Sequence, residues 1–196
     1  MITAGLKLTQ SGGIAILDED RLVFNVEMQK IANGARYSNV DELDDLVGVM
    51  DKFGLKVGDV DTWALDGWDG AAGGRVKVLA GGIQTEVLVA PYRETDLVPD
   101  PALPGHRGRI AIGGQALDYD SYVHVAGHLA SAYCTSPFAR RGEPSMVLVW
   151  DGGCFPRLYC VDADGRIEAG GEAFPLIGHT YSMASQYWGP FRRQNK

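Results

Sequence analysis

His124 and His128 stand four residues apart in Tyr122-Val-His-Val-Ala-Gly-His-Leu-Ala-Ser-Ala-Tyr-Cys-Thr-Ser-Pro-Phe138, a stretch that reads as a helix ending before Pro137. On a helix this spacing stacks two imidazoles on one face, about one turn apart, within reach of a single ion. Shortly afterwards the apolar run Met146-Val-Leu-Val-Trp150 delivers Asp151-Gly152-Gly153, a carboxylate at the end of a strand. Two imidazoles and a carboxylate suit a divalent metal. The ordinary alternative is a pair of structural histidines on a helix face, which needs no ion.

Elements must hold these groups. Gly13-Ile-Ala-Ile-Leu17, the turn Asp18-Glu-Asp20 and Arg21-Leu-Val-Phe-Asn-Val-Glu27 predict a β-hairpin. Ser38 or Asn39 is the expected cap of a helix with Asp41 and Glu42 in its first turn. Leu43, Leu46, Val47, Met50 and Phe53 form its buried stripe, and Gly54 stops it. Val60-Asp-Thr-Trp-Ala-Leu65 reads as a short buried strand leading to Asp66-Gly67. Arg75–Ala80 and Ile83–Val89 read as a second hairpin around Gly81-Gly82. Residues 91–108, with Pro91, Pro99, Pro101 and Pro104, read as a loop, long enough to be functional. Trp63 and Trp150 fall in strand-like apolar runs and are expected in the core; Trp68 and Trp188, each beside a glycine, could line a cleft.

Composition narrows the function classes. The 196 residues, 45% of them hydrophobic, suffice for one ordinary domain or part of a larger one. Acidic residues number 25 against 18 basic, a net charge of -7, and no basic cluster exceeds the pairs Arg140-Arg141 and Arg192-Arg193. Nucleic acid is therefore not an expected partner. Cys134, Cys154 and Cys160 are odd in number and lack C-x-x-C spacing, so no disulfide framework is expected and a reducing cytoplasm fits. The start lacks a secretory pattern and no 18-residue apolar segment occurs, which predicts a soluble, unexported protein with no membrane partner.

An internal echo bears on the architecture. The strand, glycine-containing turn and hairpin around Asp18-Glu-Asp20-Arg21 recur as Val147-Leu-Val-Trp-Asp-Gly-Gly153, Arg157-Leu-Tyr-Cys-Val161 and Asp162-Ala-Asp-Gly-Arg166. Aspartate-rich hairpin turns are common, so the echo can be incidental. It can also mark a duplicated α/β fold of the ribonuclease H-like kind, shared by actin, sugar kinases and heat-shock ATPases. In that case residues 1–145 make the first lobe and 146–196 the start of the second. Turns between paired strands then approach nucleotide phosphates through backbone N–H groups, a role that would suit Gly152 and Gly153.

The histidine segment together with Met146–Gly153 resembles the signature of NodU/CmcH-type O-carbamoyltransferases, nearest to the branch that decorates antibiotics. The Gly13–Glu27 hairpin and the Lys30–Ser38 loop share the resemblance, which extends from about residue 4 to Gly189-Pro-Phe-Arg-Arg193. It implies a two-part enzyme. A C-terminal domain makes carbamoyladenylate from ATP and carbamoyl phosphate, and an N-terminal duplicated-lobe domain passes the carbamoyl group to a hydroxyl of a small natural product. It further implies that His124, His128 and Asp151 are ligands of a metal, usually iron, with another carboxylate later in the chain. Such relatives continue well past the position of Lys196. The expectation is thus a first lobe plus the opening of a second, whose uncovered apolar surface invites self-association or a partner chain.

The resemblance also implies that Glu27, Lys30 and Arg36 lie near the acceptor, although each is equally an ordinary surface residue. In Thr9-Gln10-Ser11-Gly12-Gly13, Gln10 stands where the family has the histidine of a His-Asp pair, the proposed base. Glutamine offers hydrogen bonds but no useful basicity. Gln10 is expected either to position a substrate hydroxyl or to mark a weakened site. His106 and His179 match no motif and are expected to be structural or exposed. Two readings compete: a sugar-kinase-like phosphotransferase, and a non-catalytic remnant lobe that binds nucleotide or a partner protein.

Overall fold

Ala4 and Leu6 point into the core at 0% and 2% exposure, and this alternation makes Ile2–Lys7 a strand, β1, in the middle of a sheet. The computed structural model describes residues 1–31, 37–68, 74–152, 154–176, 179–185 and 187. They divide into two compact units, Met1–Gly127 and His128–Lys196.

In the first unit, β2 (Gly13–Asp18) and β3 (Arg21–Glu27) form the hairpin expected from sequence, with Glu19 at positive φ in its turn. A short helix α1 (Met28–Ile31) follows β3. The helix α2 spans Asp45–Lys52, not the longer segment predicted from Ser38 or Asn39. Two backbone bonds explain the later start: Leu43 N–H donates to Leu79 O and Leu79 N–H to Asp41 O, so residues 41–43 are held extended against a neighbouring strand. Leu43, Leu46 and Met50 are buried as expected, but Phe53 is 48% exposed and stacks on Phe24 at 4.1 Å between centroids.

Strand β4 is Thr62–Asp66, and β5 (Gly74–Ala80) with β6 (Ile83–Val89) makes the second expected hairpin. Its turn places Gly81 and Gly82 at φ 59° and 74°, a two-residue hairpin geometry that side chains disfavour. A further hairpin, β7 (His106–Ile112) and β8 (Gln115–Tyr122), turns the same way at Gly113-Gly114. The predicted loop therefore ends at Gly105 rather than at residue 108.

Six strands form a mixed sheet in the order β3-β2-β1-β4-β8-β7, and this is an α/β fold. The pairs β1/β4 and β4/β8 are parallel, so three adjacent strands end on one edge. Asp44, just before α2, ties two hairpin turns to that helix. Its carboxylate accepts from Gly81 N at 3.1 Å and from Gly113 N at 2.7 Å. Asp44→Ala is expected to lower stability by about 1–2 kcal/mol through loss of two hydrogen bonds to solvent-accessible turn amides, as read by urea unfolding.

Helix α3 (His124–Cys134) carries the unit boundary, and Val125 and Leu129 are its buried anchors. Pro137 does more than stop it. Ser136 caps a short helix α4 (Pro137–Arg141) by accepting from Ala139 N at 3.3 Å, with Pro137 in its first turn and Gly142 closing it in the left-handed region.

The second unit holds β9 (Ser145–Val149), β10 (Arg157–Val161) and β11 (Ile167–Glu172), an antiparallel meander in the order β11-β10-β9, followed by α5 (His179–Ser185). Val147, Val149, Tyr159 and Val161 fill its core. The meander repeats the β3-β2-β1 order of the first unit, and the hairpin turns at Asp18–Asp20 and Asp162–Arg166 fall at matching points. The echo in the sequence is thus present as two three-stranded meanders. Trp150 corrects the expectation of a core residue: it is 48% exposed and meets Phe174 edge-on at 5.3 Å. Alternation decides this, because Val147 and Val149 take the inward positions of β9. Trp63 is buried as expected, whereas Trp188 lies outside the described residues. Among the described residues no helix is long and apolar enough to cross a membrane.

Candidate functional site

The sheet register sets one row of chemistry. Glu27 pairs with Gly13, and Gly13 with Lys7. One residue beyond the Leu6/Leu65 pair, Lys7 and Asp66 close β1 and β4, and Asp66 pairs with Tyr122 at the end of β8. At about 4.8 Å per strand, Glu27 lies roughly 14 Å along this edge from Asp66. The carboxyl ends of parallel strands are where α/β sheets characteristically bind ligands. Two residues past Tyr122 comes His124.

His124 sits in a dense contact set within the first unit. Its Nδ1 lies 2.9 Å from both oxygens of Asp66, and Lys7 Nζ lies 2.6 Å from Asp66 Oδ2. Trp68 meets the imidazole edge-on at 5.6 Å, Tyr92 lies 4.7 Å from it, and Lys7 Nζ sits 4.7 Å over the Trp68 ring. Backbone bonds hold the helix start: His124 N–H donates to Pro91 O and Val125 N–H to Tyr92 O. The proline-rich segment therefore serves as the cap of α3.

Gly67 makes this packing possible. A Cβ there would lie 2.5 Å from both Pro91 O and Tyr122 O and 2.8 Å from Ala90 O. None of these backbone atoms can yield cheaply. Gly67→Ala is expected to cost about 3 kcal/mol, at the upper end for overpacking, and the check is a lowered urea midpoint with an unchanged m-value. Burial, with Asp120 adding and Arg107 opposing, pushes the Tyr122 phenol above its ordinary range. Tyr122 accordingly stays a neutral hydroxyl at physiological pH and is not a base.

In the second unit, His128 Nε2 lies 3.3 Å from Asp151 Oδ2, at 45% and 31% side-chain exposure. Asp151 Oδ1 also accepts from Gly152 N at 2.6 Å, which fixes the carboxylate at the head of the β9–β10 loop. Two donors each about 2.1 Å from a shared ion lie roughly 3.0–3.4 Å apart at right-angled to tetrahedral geometry. The His128/Asp151 separation falls in that interval.

The remaining sequence candidates divide. Gln10 is exposed in the β1–β2 turn, followed by Ser11 in the left-handed region at φ 59°. Glu27 is half-buried and accepts from Gln29 Nε2, and Lys30 is exposed on α1. The structure brings Gln10 and Glu27 to the same sheet edge as Lys7 and Asp66. Arg36 and Gly153 lie outside the described residues, as does the side chain of His179. His106 is half-buried on β7 with its ring 6.1 Å from Tyr119. Reading the sequence missed Lys7, Asp66 and Tyr92. A signal existed for Asp66, a carboxylate ending an apolar strand as Asp151 does.

The α/β sheet edge and the histidine helix belong to a known class: the chain is a member of the carbamoyltransferase N-terminus family, matching it over residues 3–100 and 112–196. Among curated proteins it is 42% identical over 198 residues to Nodulation protein U of Bradyrhizobium diazoefficiens. It is 43% identical over 199 residues to Nodulation protein U of Rhizobium tropici. Each match covers 100% of this chain and 34% of the relative, so the chain spans about a third of the length of these relatives.

Proposed function

We propose that this chain is the N-terminal part of an O-carbamoyltransferase that passes a carbamoyl group from carbamoyladenylate to a hydroxyl of a small natural product. The observation that carries the reading is membership of the carbamoyltransferase N-terminus family along nearly the whole chain. In this reading the fold is the first lobe of a ribonuclease H-like duplicated α/β domain and the opening of the second, and the two meanders of equal strand order support it. ATP and carbamoyl phosphate would be consumed in the remainder of the protein, in the cytoplasm.

The donor set proposed for a divalent metal, iron by the family resemblance, is His124, His128 and Asp151, two imidazoles and a carboxylate. The His128/Asp151 separation and the placement of both histidines on α3 support it. A bound metal supplies Lewis acidity and a grip on phosphate oxygens. Gly152 and Gly153 are proposed to bind phosphate through the backbone after Asp151, a role that suits residues without side chains. Glu27, Lys30 and Arg36 are proposed to bind the acceptor, and Gln10 to hold the attacking hydroxyl by hydrogen bonding rather than to take its proton.

The test is incubation of the full-length gene product with ATP, carbamoyl phosphate and a panel of hydroxylated natural products that includes antibiotic scaffolds. A carbamate ester detected by mass spectrometry, formed only with both co-substrates, is the expected result. ATP turnover without carbamoyl phosphate would favour a sugar-kinase-like phosphotransferase. Absence of both turnovers would favour a non-catalytic lobe that binds nucleotide or a partner protein.

A further inference from the structure

We infer that Asp66, clamped by Lys7, is a positioning residue that fixes the tautomer and ring orientation of His124, so that the imidazole keeps its proton on Nδ1 and its lone pair on Nε2. The argument begins with the acceptor. An ionised carboxylate can only accept hydrogen bonds, and both Asp66 oxygens lie 2.9 Å from Nδ1. A bare Nδ1 lone pair would face two carboxylate oxygens at that distance; an Nδ1–H faces two acceptors. Lys7 Nζ is 3.4 Å from the same nitrogen but 2.6 Å from Asp66 Oδ2, so its proton goes to the carboxylate.

The clamp is rigid for reasons that lie in the sheet. Lys7 and Asp66 close two parallel neighbouring strands, and their side chains keep only 26% and 18% exposure. The Lys7 ammonium also lies over the Trp68 ring, which limits the rotamers it can take without losing that contact. His124 itself is 9% exposed, with Trp68 and Tyr92 against its ring. A carboxylate on the far nitrogen fixes which nitrogen is basic and raises its donor strength. The consequence for metal binding rests on the proposed role of His124 as a ligand; the tautomer itself does not.

The experiment uses the metal-free protein labelled with 15N-histidine at about pH 8, above the ordinary imidazole range. Long-range proton–nitrogen correlations report which nitrogen of each imidazole carries hydrogen, and His124→Gln assigns the signal. The expected spectrum has His124 protonated at Nδ1 and unprotonated at Nε2, with Asp66→Ala moving the population to the Nε2–H form. His106 signals unchanged in the variant show that its sheet is intact. An Nε2–H form in the unsubstituted protein overturns the inference whether or not the variant folds, and so does an Nδ1–H form that persists in Asp66→Ala. Cobalt(II) titration of the same samples reads the other half. Binding weakened about 10–100-fold by Asp66→Ala is expected. Cobalt that binds neither protein defeats the metal reading while leaving the tautomer result to stand by itself.

Discussion

His124→Ala combined with His128→Ala is expected to remove all tightly bound metal from the full-length protein, as measured by elemental analysis after purification without chelators. Three donors are proposed within this chain, and of these the double variant leaves only Asp151, whose carboxylate already accepts from Gly152 N. Loss of an outer-shell partner costs roughly 10–100-fold in metal affinity, so loss of two directly bound imidazoles should exceed that by a wide margin. The single variants should separate. His128 is 45% exposed and removing it opens little space, so His128→Ala should lower metal content with no loss of stability. His124 is buried among Lys7, Asp66, Trp68 and Tyr92, and His124→Ala should in addition destabilise the sheet edge, because Asp66 loses a donor. Metal retained at the level of the unsubstituted protein in the double variant would sink the proposed site.

That separation shows why the two histidines were unequally legible. Their spacing on a helix follows from period alone, and so does a carboxylate at the end of an apolar run. The clamp on His124 does not. Lys7 and Asp66 are 59 residues apart, and only the parallel pairing of β1 with β4 brings them together. β1 gives a weak signal by itself, because Gly5 interrupts a short strand whose burial is dictated by neighbours on both sides. Helix α2 shows the converse failure. Residues 41–43 have the acidic first turn and the first apolar position of a helix, yet two backbone bonds to Leu79 hold them extended, a tertiary preference that local pattern does not carry. Trp150 failed for a simpler reason. A run of five apolar residues hides which parity faces inward, and Val147 and Val149 took the core. The hairpins around Glu19 and Gly81-Gly82 were readable because their turns require specific backbone geometry.

Gln10→His is expected to raise kcat/KM for carbamoyl transfer by about 100-fold, the lower end of what a positioned general base supplies. The family resemblance puts a histidine at this position, and glutamine cannot substitute for its basicity. The structure gives the reason the replacement should be tolerated: Gln10 is exposed in the β1–β2 turn, so an imidazole there displaces no core atom. It also puts Gln10 on the sheet edge where Lys7, three residues earlier, ends β1 beside Asp66. The pH profile discriminates. A histidine base works only when unprotonated, so the gain should appear as pH rises through about 6.5 and level off above it, whereas unsubstituted protein should lack that inflection. Gln10→Ala completes the test, because a glutamine that holds the acceptor hydroxyl should lose about 10-fold on removal, near the 1–1.5 kcal/mol of one hydrogen bond. A gain independent of pH would mean that the histidine acts by contact rather than by proton transfer. No gain, together with full activity in Gln10→Ala, would place the base elsewhere along the edge.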